Sequence, residues 1–438
     1  MLSETSTLSR GRCYIASQDL LPGQLVLEEC PIALYLTHND PALDSIERSL
    51  LASFPSEASP SSCILTYRIC KLMKGPHLQS QFMELCCHHS NMDPQQLEGM
   101  LECCKIIHRM VPTMEISRIF EIIQRIALNA FTITDDTLQP MGIGIYLKAS
   151  RFNHSCDPNA TQSFIPTKTS VILRIHANRF IAKGQEILIS YIDLTYPAWW
   201  RRQQLVSSYG FFCHCRRCDC IYEVNKFRCG KAECKRGYLD TANTCSTALY
   251  KLWLRGYVER GSFSTDSSQL PIFLICVSSK MLSLDTLRFR CLKCNSTSTA
   301  VDLRRLCTRT NAMYSRHHSS DQLVDKYDVI IKNLDSFLFK DDYATLRLKS
   351  EYATDLILAR RYHQARRVIE SYLDAMDSLC LPSNHFPHIQ LYQLGKLKAY
   401  EGDTLRGWEL MREAVDHLIK MLGINHPLIL EANAAVIN

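Results

Sequence analysis

Three cysteines within six residues, Cys213-His214-Cys215-Arg216-Arg217-Cys218, constrain this chain more than any other stretch. Thiols this close have few uses apart from sulfur ligation of a metal. Zinc takes four ligands in a tetrahedron and suits this C-x-C-x-x-C spacing. Cys156, from a distant loop, is the preferred fourth ligand, with Cys220 and His214 as local alternatives. Cys229-x4-Cys234 and Cys291-x-x-Cys294 offer two further pairs for a second zinc ion, against the reading of buried thiols without metal. Cys86-Cys87-His88-His89 and Cys103-Cys104 with His108 lie on helical segments, where adjacent side chains diverge, and read as packing and solvent-facing imidazoles.

The cysteines set the compartment as well. There are 21 of them in 438 residues. The start, Met1-Leu2-Ser3-Glu4, lacks the charged and apolar regions of a secretory leader, so metal is expected over disulfides, in the nucleus or cytoplasm. No apolar run reaches the roughly 18–20 residues of a membrane span. The longest, Pro271 to Val277, reads as a buried strand. Net charge is +6, too mild for a dedicated nucleic-acid binder. The length allows about two to four domains.

Short β-type runs open the chain, with Leu20-Leu21-Pro22-Gly23-Gln24 as a turn between Cys13-Tyr14-Ile15 and Leu25-Val26-Leu27. From about residue 63 the apolar spacing is helical, as in Ile116, Ile119, Phe120, Ile123 and Ile126. At Asn129 the period changes. Phe131–Ile133, Gly144–Leu147, Ser170–Ile175 and Glu186–Tyr191 read as short strands. Residues 320–436 return to helical spacing in two related hairpins. Ala353 and Ala365 are 12 apart in one, and Gly395 and Gly407 are 12 apart in the other, as in tetratricopeptide-type repeats. An irregular helical bundle is the competing reading. Gly142-x-Gly144 lacks the third glycine and the following helix of a dinucleotide loop.

The decisive stretch is Arg151-Phe152-Asn153-His154-Ser155-Cys156-Asp157-Pro158-Asn159. Downstream stand Gly184-Gln185-Glu186-Ile187-Leu188-Ile189-Ser190-Tyr191, Tyr209-Gly210-Phe211-Phe212 and the C-x-C-x-x-C. Upstream stand Arg10-Gly11-Arg12, Asn129-Ala130-Phe131-Thr132-Ile133 and Gly142-Ile143-Gly144-Ile145-Tyr146. Leu394-Gly395 and Asn425-His426-Pro427 close the series. In this order the chain resembles the SET-domain lysine methyltransferases, most closely the branch with SET, MYND and C-terminal helical repeats, the SMYD family. Two departures stand out. Residues 36–62 contain no C-x-x-C pair, so the MYND finger is missing. The first loop reads Gly11-Arg12-Cys13-Tyr14 where the family usually has Gly-Arg-Gly-Leu. If that position needs positive φ or close backbone approach, Cys13 is strained or crowds the cofactor.

The resemblance implies an α+β fold: a small β-rich SET core split by a helical insert, a zinc-bound post-SET segment and a C-terminal helical, tetratricopeptide-like domain. The corresponding boundaries are 1–35 and 128–200 for the core, 36–127 for the insert and 201–222 for the post-SET segment. A linker with the second candidate zinc site takes 223–310 and the helical domain 311–438. It implies transfer of a methyl group from S-adenosylmethionine to a lysine of a histone or non-histone protein. Tyr191 would be the central catalytic residue, with Tyr209 and Phe131 lining the lysine channel. Phe211 would cover the adenine. Asn153 and His154 would contact the cofactor, as would Tyr191, and Asn129, Arg10 and Arg12 would engage its amino-acid end. Cys156 would join Cys213, Cys215 and Cys218 on a structural zinc.

The reading expects a monomer with a protein substrate, no membrane and no sequence-specific DNA contact. A second reading makes the SET fold a catalytically silent scaffold that binds partners through its C-terminal helices. A third, a zinc-dependent DNA-binding regulator, rests on nine Lys/Arg against three Asp/Glu in residues 201–236. That patch reads better as a solvated surface around the zinc loops.

Overall fold

The computed structural model describes residues 1–7, 11–37, 40, 42–55, 59–73, 75–87, 94–135, 140–194, 198–218, 233–234, 288–291, 293–299, 343–376 and 386–437. Arg10, Cys220, Cys229, His88, His89 and the run Pro271–Val277 fall outside them. Two compact units emerge, one made of Met1–Tyr191, Val206–Phe211 and Val415–Asn438, the other of Ile192–Leu205 and Phe212–Ala414. No helix among the described residues is long and apolar enough to cross a membrane.

Short strands build the first unit. β1 (Leu2–Thr7) pairs antiparallel with β2 (Gly11–Ala16). β3 (Leu25–Glu29) and β8 (Ala160–Pro166) flank β9 (Val171–Ala177). β4 (Ala33–Leu36) and β5 (Ala130–Thr134) flank β6 (Pro140–Ile145). β7 (Asn153–His154) runs parallel to β10 (Leu188–Ile189). The expected strands at 131–133, 144–147 and 170–175 therefore exist, with shifted ends. β1 to β4 fall in the opening segment read as short strands, whereas β7 lies in a stretch read as a polar loop and β8 was not read from the sequence. The expected strand Glu186–Tyr191 shrinks to Leu188–Ile189, because side chains take up its backbone groups, as described below. Cys13 sits buried in β2 and is not among the positive-φ residues. The expected strain is absent, since an extended strand accepts any side chain.

Among the described residues five helices separate β4 from β5: α1 (Ser45–Leu51), α2 (Pro60–Leu72), α3 (Pro76–Met83), α4 (Pro94–Met110) and α5 (Ile116–Asn129). Their starts are written in the sequence. The Asp44 side chain accepts from Glu47 N–H at 2.8 Å, and Ser59 caps α2 with Pro60 in its first turn. In α5 the buried stripe is Ile119, Ile122, Ile123 and Ile126, while Ile116 is exposed. The stripe packs with Ile64, Leu65, Ile69, Phe82, Cys104 and Ile107 into a helical core. Cys103 and Cys104 are buried there, as the packing reading expects, whereas Cys86 is exposed and His108 is half-buried with Nδ1 2.8 Å from the Met114 carbonyl oxygen. A second core belongs to the strands, with Tyr14, Leu20, Tyr146, Phe152, Leu173, Ile175, Ile187 and Ile189 at its centre. Arg68 bridges Asp40 and Glu47 at 2.9 and 2.6 Å and also donates to the Leu34 carbonyl, which fastens α2 to the end of β4.

The second unit carries the hairpin β11 (Arg288–Arg290) and β12 (Thr297–Thr299), then the helices α7 (Tyr343–Leu358), α8 (Tyr362–Met376) and α9 (Phe386–Tyr400). α6 (Ala198–Tyr209) and α10 (Thr404–Leu422) each belong partly to both units, and α11 (Pro427–Ile437) to the first. Ala353 and Ala365 are fully buried in α7 and α8. Gly395 and Gly407 let α9 and α10 touch. A Cβ at Gly407 would lie 2.7 Å from the Gly395 carbonyl oxygen and 2.8 Å from Ala399 N, both rigid backbone.

Gly407→Val is therefore expected to lower the thermal midpoint, at a cost of about 1–3 kcal/mol. A midpoint equal to wild type in a calorimetric scan would show that the helices separate freely.

His176 offers a pH test. It is buried in β9 against Gly423, and burial first, then the Arg174 charge, lowers its pKa from 6.5 to about 4, with Glu28 opposing. The unfolded chain takes a proton near pH 6.5, whereas the fold resists until about pH 4. Stability is thus fully present above pH 6.5 and is lost as the pH falls towards 4, on the order of 3 kcal/mol. His176→Gln should flatten this part of the unfolding free energy between pH 7 and 4.5. An unchanged slope would assign it to other groups.

Candidate active site

Residues 153–159 and 186–191 hold each other by side chains as much as by strand pairing. Asn159 is fully buried, and its amide donates to the Glu186 carbonyl at 2.9 Å and accepts from Leu188 N–H at 2.7 Å. Asn159 N–H donates to the Leu188 carbonyl at 3.2 Å, and Ser155 N–H to the Ile189 carbonyl at 2.9 Å. Asn153 donates to a Glu186 carboxylate oxygen at 2.9 Å. Tyr191 N–H donates to His154 Nδ1 at 3.0 Å. That bond places the proton of the neutral ring on Nε2, which lies 3.2 Å from Cys156 Sγ. The backbone groups that a six-residue strand would have used are thereby spent on Asn159 and His154.

The knot sets Tyr191 at the end of β10, among aromatic rings. Ring centroids lie 4.9 Å from Tyr209, 5.3 Å from His154 and 6.4 Å from Phe211. Phe211 is 6.0 Å from His154 and 6.5 Å from Tyr209. Tyr209 ends α6, and Gly210, at φ +73°, turns the chain so that Phe211 follows directly. Tyr191 Oη donates to the Phe152 carbonyl at 2.5 Å, and Tyr209 Oη to the Tyr191 carbonyl at 3.4 Å. Burial raises the pKa of both phenols, so both stay protonated at neutral pH. The result is a neutral patch of π faces, phenol oxygens and carbonyl oxygens. Such a patch favours a cation and contains no phenolate base.

Of the residues singled out from the sequence, Asn153, His154, Tyr191, Tyr209 and Phe211 come together here. Phe131 packs its ring edge-on to Tyr146 at 5.7 Å, in the same apolar cluster that Tyr191 borders. Asn129 is buried at the end of α5 and donates to the carbonyls of Cys86 and Arg125 at 2.9 and 2.8 Å. Arg12 is exposed and binds Glu84 through both the carboxylate and the backbone carbonyl. Arg151 reaches Glu84 and Glu4 at 3.2 and 2.6 Å. The sequence reading missed Glu84–Cys86, to which these side chains converge, along with Asn159 and Glu186. Asn159 ended the decisive stretch and could have been found there. Glu84–Cys86 carries no local signal.

In the second unit the sulfurs of Cys213, Cys215 and Cys218 lie within 4.8 Å of one another. Cys218 N–H points to Cys215 Sγ at 3.4 Å, and the buried Arg201 guanidinium lies 3.8 Å from Cys218 Sγ. A cation next to clustered sulfurs favours thiolates, the form that binds zinc. His214 is exposed, its ring tilted against Phe212 at a centroid distance of 4.9 Å.

Comparison with known proteins places this geometry. The SET domain profile matches residues 11–192, which contain the whole knot and Tyr191. Residues 11–192 are thus similar to a SET domain, and the chain resembles SMYD-type lysine methyltransferases. The Arabidopsis thaliana histone-lysine N-methyltransferase ASHR1 is 23% identical over 79% of this chain and 66% of its own length. The human histone-lysine N-methyltransferase SMYD3 is 38% identical over 23% of each chain. The Xenopus laevis N-lysine methyltransferase SMYD2-A is 30% identical over 40% of this chain and 43% of its own. The matched parts thus span just under two thirds of the plant relative and less than half of these animal ones.

Asn159→Leu keeps the volume but strips both side-chain bonds, to the Glu186 carbonyl and from Leu188 N–H. It should cost about 2–3 kcal/mol and lower the thermal midpoint. Wild-type stability would show that β7 and β10 pair without it.

Proposed function

We propose that this chain is a protein-lysine N-methyltransferase that takes its methyl group from S-adenosylmethionine. The observation that carries the proposal is Tyr191, a protonated phenol tied to the Phe152 carbonyl and ringed by Tyr209, Phe211 and His154. Bound S-adenosylmethionine would supply an electrophilic methyl on a positively charged sulfur. The neutral oxygens and π faces fit such a cation.

The chain's own residues would do the rest by positioning. A free lysine, with pKa about 10.4, is protonated at neutral pH and is no nucleophile. Phe131, Tyr209 and the Tyr191 ring would line a channel that disfavours the ammonium form. Tyr191 Oη, its proton committed to Phe152, keeps lone pairs with which to orient the amine. Asn153 and His154 would hold the cofactor, Phe211 would cover its adenine, and Arg12, Asn129 and Arg10 would serve its amino-acid end. Cys156 would complete a structural zinc site with Cys213, Cys215 and Cys218. Its support is the sulfur's burial and the Nε2 proton of His154 aimed at it, which suits a thiolate. The paired helices α7–α8 and α9–α10 are read as tetratricopeptide-like repeats that hold the protein substrate. A histone is one candidate substrate, since ASHR1 and SMYD3 are histone-lysine enzymes by name.

Labelled S-adenosylmethionine tests this with core histones and a whole-cell extract as acceptors. Wild-type protein should label protein, and Tyr191→Phe should lose at least about tenfold of the rate while still binding cofactor. A folded wild-type chain that neither labels protein nor binds S-adenosylmethionine would overturn the reading and leave the scaffold alternative.

A further inference from the structure

The hairpin β11–β12 is too small to stand alone. Each strand has three residues, paired as Arg288↔Thr299, Phe289↔Ser298 and Arg290↔Thr297. A two-stranded ribbon of this size is marginal in water. Its tip, however, is built to a definite shape. Cys291 N–H donates to the Ser296 carbonyl at 2.7 Å, and Asn295 N–H to the Cys291 carbonyl at 2.9 Å. Lys293 N–H and Cys294 N–H both point to Cys291 Sγ, at 3.4 and 3.5 Å. Asn295 adopts φ +57°, the left-handed conformation that asparagine tolerates better than other non-glycine residues. Two amides aimed at one sulfur favour a thiolate, and the two sulfurs of the C-x-x-C lie within 4.8 Å of each other.

A third sulfur lies beside them. Cys234 Sγ is 3.8 Å from Cys291 Sγ, although 57 residues separate them. All three sulfurs of Cys234, Cys291 and Cys294 lie within 4.8 Å of one another. For zinc, with Zn–S near 2.3 Å and tetrahedral angles, neighbouring sulfurs should be about 3.8 Å apart. A four-iron cluster would give each cysteine its own iron and spread the sulfurs further. A disulfide would need two of them at about 2 Å and would leave the third without a role.

We propose that Cys234, Cys291 and Cys294 ligate a second, structural zinc ion, separate from the one assigned to Cys213, Cys215 and Cys218. The ion clasps the hairpin to a segment far upstream and so closes a long loop, where cross-linking removes most entropy from the unfolded chain. Cys229 lies outside the described residues and is tested as the fourth donor.

The test uses the full chain, purified under reducing conditions without chelator. Zinc is counted by elemental mass spectrometry, and each cysteine is mapped for alkylation. Wild type should carry about two ions, with Cys234, Cys291 and Cys294 protected until a chelator is added. Cys294→Ser, at an exposed position, should lose one ion and unprotect Cys234 and Cys291 while Cys213 stays protected. Cys213→Ser should lose the other ion and leave the Cys234 set protected. Loss of one ion in Cys229→Ser would add that residue to the same site. Three results would overturn the proposal: alkylation of Cys234 and Cys291 in zinc-loaded wild type, a disulfide between them, or zinc content unaffected by Cys294→Ser. None of these depends on whether the chain transfers methyl groups.

Discussion

One buried amide side chain governs the functional end of this molecule. Asn159 accepts from Leu188 N–H and donates to the Glu186 carbonyl, and so fixes the loop 153–159 against the approach to Tyr191. Two-residue strands have little cohesion of their own. Here the Asn159 amide, the His154 ring and the Asn153–Glu186 bond supply what the short ladder lacks. The position of the Tyr191 backbone follows from that arrangement, because its N–H is itself one of the bonds. The interior is low in dielectric, so such bonds are strong when made and costly when broken.

The chemistry of the site follows from keeping it neutral. Burial holds the Tyr191 and Tyr209 phenols in their protonated form, and Glu186 is occupied by Asn153. A catalyst built on proton abstraction would place a base at this spot. The proposed methyl transfer, which aligns two groups beside a cation, has no use for one. His154 joins the two concerns in the first unit, one ring nitrogen serving the Tyr191 backbone and the other facing the Cys156 sulfur.

Much of this was legible in residue order. The β-branched run at 171–175 and the isoleucine stripe of α5 announced their elements, and the decisive stretch at 151–159 announced the knot. β1 was legible only as part of the opening β-type runs. Leu2–Thr7 is almost wholly polar and becomes a strand only because β2 pairs with it. The run at 186–191 looked like a full strand, since apolar alternation cannot reveal that side chains will claim its backbone groups. The ties of Asn129 and Arg12 to residues 84–86 were hidden for a related reason. A carbonyl acceptor belongs to every residue and leaves no trace in the sequence. Cys13 looked strained by comparison with a glycine, and its extended strand backbone removes that strain.

The C-terminal stretch has a consequence for how the protein is made. Residues 415–438 belong to the same compact unit as the first strands. Gly23 lies against the backbone of Ile419 and Lys420, Gly423 sits on the His176 ring, and Arg174 donates to the Asn425 carbonyl. A ribosome delivers this chain from the other end. For most of synthesis the sheet of β3, β8 and β9 waits without its last covering segment, so the unit that holds Tyr191 cannot be completed vectorially. Premature termination anywhere before residue 415 would leave that unit open and hand it to the cell's chaperones and proteases, however intact the residues around Tyr191.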